Sequence, residues 1–185
     1  YYIRKGDYAM EWLTKIEKQV LHWVKDIPHL PNSARKWIAE NIWWVAIIGA
    51  ILLTISAALE LLAVLGLMAT LGTVASTYYP ATTFVAWGFV TAIVSFVFAA
   101  LQAGLLYVAV TPLKERQKKG WVLVFAAWLI SIVALVISAI LTLNPFSFIT
   151  TILFGAVFAA IWGYLLFEIH SEFAHLLKTK AAKKK

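Results

Sequence analysis

The sequence predicts an all-α integral membrane protein: a four-helix bundle of two tandem helical hairpins, preceded by an amphipathic helix at the membrane interface. Three observations carry that prediction. Of the 185 residues 62% are apolar and the mean hydropathy is +0.82, well beyond the roughly one-half apolar share of soluble domains. Four windows almost free of charge each reach the ~20 residues that a helix needs to cross hydrocarbon. All sixteen Lys and Arg fall in three short blocks, each beside an apolar window. The pI of 9.6 therefore points to anionic lipid headgroups rather than nucleic acid. With no cysteine, disulfides, thiolate metal sites and thiol nucleophiles are excluded.

Residues 1–9 read as a translated leader, because Lys5, Gly6 and Asp7 can be encoded by a purine-rich ribosome-binding string ahead of Met10. Residues 1–41 hold no apolar core followed by a cleavage site, so no signal peptide is expected there. Residues 10–30 form the amphipathic segment, with Leu13, Ile16, Val20, Trp23, Val24 and Ile27 on one face of a helix over 10–27. Its three acids (Glu11, Glu17, Asp26) balance three lysines (Lys15, Lys18, Lys25), so the apolar face with Trp12 and Trp23 must hold it at the interface. Docking on the protein's own bundle, or on a partner helix, is the alternative. The segment IPHLPNS then breaks the helix, and Asn32 or Ser33 can cap the next one.

The first hairpin is expected over 33–112, with spans at about 42–62 and 86–110 and with Thr111-Pro112 ending the second helix. A basic loop follows at 113–120. The second hairpin occupies 121–173, with spans at about 121–143 and 147–169 joined by a tight turn at Asn144-Pro145. A Lys-rich tail, 174–185, closes the chain as a lipid-surface anchor.

Seven cations precede the first span, four lie between the second and third, and five follow the fourth, while the other two loops have none. By the positive-inside bias both ends are cytoplasmic, with Lys114, Arg116, Lys118, Lys119, Lys183, Lys184 and Lys185 on headgroups. The tail lacks eukaryotic dilysine retrieval spacing, and a bacterial cytoplasmic membrane is the expected location. Trp37, Trp43, Trp44 and Trp121 mark the inner boundary; Tyr78, Tyr79 and Trp87 mark the outer one.

An internal duplication is legible at an offset of sixty residues, where FAALQAGLLYV (98–108) overlies FAAIWGYLLFE (158–168). Small residues register as well: Ser95, Ala99 and Ala103 fall on Gly155, Ala159 and Gly163. Spacing by four puts each trio on one ridge, the expected packing seam of helices that must approach closely in lipid. The first and third spans align at an offset of seventy-seven, with Trp44 on Trp121 and Thr54 on Ser131. The first hairpin therefore has surplus chain at 60–80, either an extension of its first helix, an interfacial helix or a shallow re-entrant piece.

Glu60 is the one charged residue in the apolar run that starts at Ile42. Sixteen residues beyond Trp44, it is expected about 24 Å in, near the outer boundary. One reading is a hydrated boundary residue, with Tyr78, Tyr79 or loop Thr residues in reach; the other is a proton- or cation-binding carboxylate. The surrounding GAILLTISAALELL resembles the first helix of small multidrug resistance transporters, and that resemblance implies proton exchange for cationic drugs through Glu60. Gln102, Trp128, Trp162, Ser131 and Tyr107 share a depth and can line an inner-leaflet polar pocket, or simply tie helices together. Glu168, Glu172 and His175 share a helix face at a spacing open to metals, though a solvated helix end explains them and no metal is assigned. His22 and His29 are expected to be exposed.

Motifs for zinc hydrolases, phosphate-cradling loops, serine elbows and Asp-rich prenyl chemistry are absent from the sequence, so neither catalysis nor a cofactor is expected. The stretches PLKERQKKGWVLVF (112–125) and GYLLFEIHSEF (163–173) resemble pieces of small four-helix bacterial inner-membrane proteins of uncharacterised role, a likeness covering about 40–173. The expectation is a noncatalytic scaffold, assembly factor or subunit packing on lipid, on its own copies or on other membrane proteins; the alternative is a small oligomeric transporter or channel using Glu60.

Overall fold

The computed structural model describes residues 15–22, 27–74, 79–142 and 144–173, and the side chains of these outside 71–84. Five helices are defined among them: α1 (15–22), α2 (Asn32–Val74), α3 (Tyr79–Lys114), α4 (Lys118–Leu141) and α5 (Pro145–Glu168), the last followed by a short helical stretch at 170–173. The long four are each apolar and long enough to cross a membrane. Consecutive long helices pack on one another, α2 on α3, α3 on α4 and α4 on α5.

Helix α2 runs for 43 residues, about 65 Å at 1.5 Å per residue, so the surplus chain after residue 60 is a straight extension of the first helix through Val74. Of its buried positions, Ala39, Ala46, Ala50, Ala57 and Val64 recur at steps of four and seven, with Ile42 buried beside them. Half-buried Trp43, Leu53, Glu60 and Leu67 fill the intervening places of a 3.5-residue stripe. Helix α3 answers with Ala92, Ala99, Ala109 and Leu113, interleaved with Ser95, Gln102 and Leu106. Alanine along both stripes lets the two backbones come close.

Thr111-Pro112 does not end α3. Proline removes only the amide that would have reached back to residue 108, a small loss in a final turn. The helix closes two residues later, where Arg116 adopts a left-handed φ of 52°. The Gln117 amide reaches Pro112 O at 2.7 Å and the Arg116 amide reaches Leu113 O at 2.9 Å, the paired bonds of a Schellman ending. Helix α4 then starts at once. A Cβ on Gly120 would stand 2.6 Å from the Leu113 backbone nitrogen, so only glycine permits this tight reversal. At the other end, Asn144 caps α5 by accepting from the Phe146 amide at 2.9 Å, with Pro145 in the first turn.

The starts of α2 and α4 and the ends of α3 and α5 meet in one cluster, the basic end, beside the cationic 113–120 segment, which is not a loop throughout: only 115–117 lie outside the helices. Among the described residues, the largest fully buried side chains all lie in it: Trp121, Phe125, Phe173, Leu113 and Ile169. Trp121 is thus a core residue and not a boundary anchor. Its indole N–H donates to Leu166 O at 2.9 Å, and Phe125 stacks on its ring at 5.1 Å. The apolar 18-residue windows of the candidate spans, by contrast, have only 17% to 28% of their residues buried. Leu52, Leu59, Leu62, Phe146, Phe154 and Phe158 all face outward.

Candidate functional site

Two buried carboxylates organise the basic end. Glu17 and Glu168 retain 7% and 6% of their exposure, values that a carboxylate sustains only when paired. Glu168 ends α5 and receives the IPHLPNS segment. His29 Nδ1 lies 2.6 Å from its Oε1, and the Leu30 amide donates to Oε2 at 3.0 Å. Arg35 Nε, buried and without a hydrogen bond, stands 3.9 Å from Oε2, within ion-pair range. The Arg35 guanidinium bonds the Asn32 side chain, so Asn32 serves that contact rather than a backbone amide. Tyr164, one turn back on α5, donates its hydroxyl to Pro28 O at 2.8 Å.

Glu17 secures α1. Its Oε1 lies 2.7 Å from His170 Nε2 and 3.3 Å from Lys118 Nζ, while the His170 ring stands edge-on to Trp121 at 4.6 Å. Ile16, Val20 and Leu21 pack on the hydrophobic cluster. The amphipathic helix therefore docks on the protein's own bundle over its described part; Leu13, Trp23 and Val24 lie outside the described residues, and Ile27 is exposed. His22 and His29 are both exposed as expected, and His29 is in addition the partner of the buried Glu168. The Glu168, Glu172 and His175 face is no solvated helix end either, since Glu168 is enclosed; His175 lies outside the described residues. No cluster of three metal-ligating side chains occurs among the described residues.

The headgroup cations divide. Arg116 pairs with Glu40 at 2.5 Å and Lys118 with Glu17, whereas the Lys114 ammonium sits 4.9 Å over the Trp43 ring and Lys119 is exposed. Lys183, Lys184 and Lys185 lie outside the described residues.

The predicted polar pocket does not assemble through its hydrogen bonds. Gln102 donates to Phe98 O and Ser131 to Trp128 O, each within its own helix. Trp128 donates to Ala159 O across α4 and α5 at 2.9 Å, and the Tyr107 hydroxyl accepts from Thr54 across α2 and α3 at 3.4 Å. Trp162 meets Phe158 edge-on. An apolar environment explains the pattern: a lone polar group takes the nearest carbonyl rather than waiting for a distant partner.

The small-residue ridges are packing seams inside the chain. A Cβ on Gly155 would stand 2.2 Å from a Leu135 methyl, and one on Gly163 2.7 Å from the Trp128 ring, so the ridge of Gly155, Ala159 and Gly163 faces α4. Ala99 and Ala103 are buried and Ser95 half-buried.

Glu60 lies on the α2 stripe, not near a helix end. Gly49 approaches Leu106 and Gly88 approaches Leu67, so eighteen steps up α2 match eighteen down α3 and Glu60 falls level with Ser95. Trp87 Nε1 donates to Leu141 O, which sets the far end of α4 one step beyond Leu67. Glu60 is therefore eight residues, about 12 Å, inside that end. Among the described residues it has no hydrogen-bond or ion-pair partner; Tyr78 and the side chain of Tyr79 lie outside them.

Comparisons of the chain with protein-family models, curated proteins and solved structures returned no match.

Proposed function

We propose that the chain is a noncatalytic integral protein of a bacterial cytoplasmic membrane, a scaffold, assembly factor or subunit, with both ends in the cytoplasm and the helices arranged as two tandem hairpins. One observation carries it: large apolar side chains face outward along all four spans, while the large fully buried ones gather at the basic end. Such a surface needs lipid or protein around it. The basic end, with its ion-paired cap, is the part built like a water-soluble core. Buried acids there are committed to holding the N-terminal segment, which supports a structural role rather than a chemical one.

The duplication gains support from register. Gly155 and Gly163 meet α4, and at the matching positions of α3 Ala99 and Ala103 are buried and Ser95 half-buried. Since the Gly155 ridge is occupied by α4, partners would use the outward faces of α2 and α5. Purification in mild detergent tests the reading. A discrete homo-oligomer or a stoichiometric membrane partner is expected, and a bare monomer with lipid alone would count against the assembly role.

A second reading, an oligomeric proton- or cation-coupled transporter, rests on Glu60. Its half-buried place on the α2 stripe, without a hydrogen-bond or ion-pair partner among the described residues, supports this reading. Glu60→Gln should abolish efflux of a lipophilic cation driven by a pH gradient; undiminished efflux would remove this reading.

A further inference from the structure

We propose that the edge where α2 begins and α3 ends binds one anionic phospholipid, its phosphate on Lys114 and one acyl chain along α2. The inference rests on the membrane reading above and gives one lipid contact a definite place. Of the four loop cations, Arg116 and Lys118 already face carboxylates, so their charge is locally cancelled. Lys114 is exposed, has no carboxylate in ion-pair range among the described residues, and is held over Trp43 at 4.9 Å. An ammonium on a ring face keeps N–H donors pointing away from the ring, ready for a phosphate oxygen.

Trp43 in turn stacks on Trp44, with ring centroids 4.3 Å apart, and Trp44 is 53% exposed. Paired indoles beside a cation suit the headgroup level, where a ring's apolar body and its polar N–H are both served. From Trp44 an outward stripe of Ile48, Leu52, Ile55 and Leu59 runs on at helical spacing. Fifteen residues make about 22 Å, more than one leaflet of a roughly 30 Å core, so an acyl chain that starts at Lys114 is in contact along its whole length. Lys119 has exposure without the indoles or the stripe, which makes it the internal control.

The test reconstitutes the full chain in phosphatidylcholine vesicles containing one fifth phosphatidylglycerol, floats them, extracts in mild detergent and weighs the retained lipid by native mass spectrometry. One phosphatidylglycerol should remain preferentially. Lys114→Gln should weaken that preference about fivefold, the factor for one cation at an anionic surface. Lys114→Arg and Lys119→Gln should keep it, and Trp43→Leu should lower it while leaving the charge. If the protein does not float with the vesicles, the membrane reading itself is wrong. If it floats but retains both lipids equally, or if Lys114→Gln changes nothing or Lys119→Gln matches its loss, this site alone is overturned.

Discussion

Glu168 shows how one side chain closes the molecule. Its carboxylate sits where α5 leaves the apolar region and gathers His29, the Leu30 amide and Arg35 from the other end of the chain. Replacing it by leucine would strand those donors, and Glu168→Leu should cost about 2–3 kcal/mol in detergent unfolding, below the usual range for a buried pair because His29 is half exposed. A cost under about 0.5 kcal/mol would show that the contact contributes little. The glycines give a graded series. Gly163→Ala drives a methyl into the rigid Trp128 ring, Gly155→Ala meets both methyls and the branch carbon of Leu135, a side chain that can rotate aside, and Gly66→Ala meets open space. Unfolding should rank them in that order of damage, with Gly66→Ala neutral or stabilising. None of the Glu168 contacts could be read from the sequence. A pair separated by 139 residues leaves no periodic signature, and His29 looked like any polar residue of a proline-broken linker.

At the scale of elements, the reversal between α3 and α4 depends on Arg116 and Gly120. Arg116 tolerates its left-handed backbone while its guanidinium holds Glu40 across the loop. Gly120→Ala should destabilise by more than the ~1 kcal/mol typical of a point mutation, because backbone atoms stand in the way and cannot rotate aside. Arg116→Gly exchanges an exposed ion pair for relief of strain, two effects of about 1 kcal/mol each, and should be near neutral. Helix α1 is held by Glu17 as well as by its apolar face. Glu17→Ala should therefore speed proteolysis at Pro28–Leu30 several-fold without unfolding the long helices, and an unchanged cleavage rate would refute the clasp. The four long helices were legible because twenty apolar residues admit little else, and Asn144-Pro145 was legible as a boundary because capping is local chemistry. Helix ends were not. Val74 and Tyr79 extend far past the apolar windows, and Pro112 was read as a stop although its lost amide matters little in a last turn. A depth counted from Trp44 leaves out the continuation of α2 past Glu60 to Val74.

Over the whole molecule, the division of labour is between a dry, aromatic, ion-paired basic end and four helices whose apolar faces turn outward. Composition made four long apolar helices readable, and the blocks of Lys and Arg mark the end where the ion pairs gather. The cap was not readable, because Trp121 in a sequence looks equally like an interfacial anchor and a core residue until its neighbours are known. On the proposed reading hydrocarbon surrounds these helices and the basic end faces the cytoplasm. Since the chain has no cysteine, single-cysteine labelling with an impermeant maleimide in intact bacterial cells tests it most directly. The Phe146→Cys variant, at the exposed start of α5, should label in intact cells, and the Lys119→Cys variant only after lysis. Labelling of both from the same side, or recovery of the folded chain in an aqueous fraction without detergent, would contradict the account.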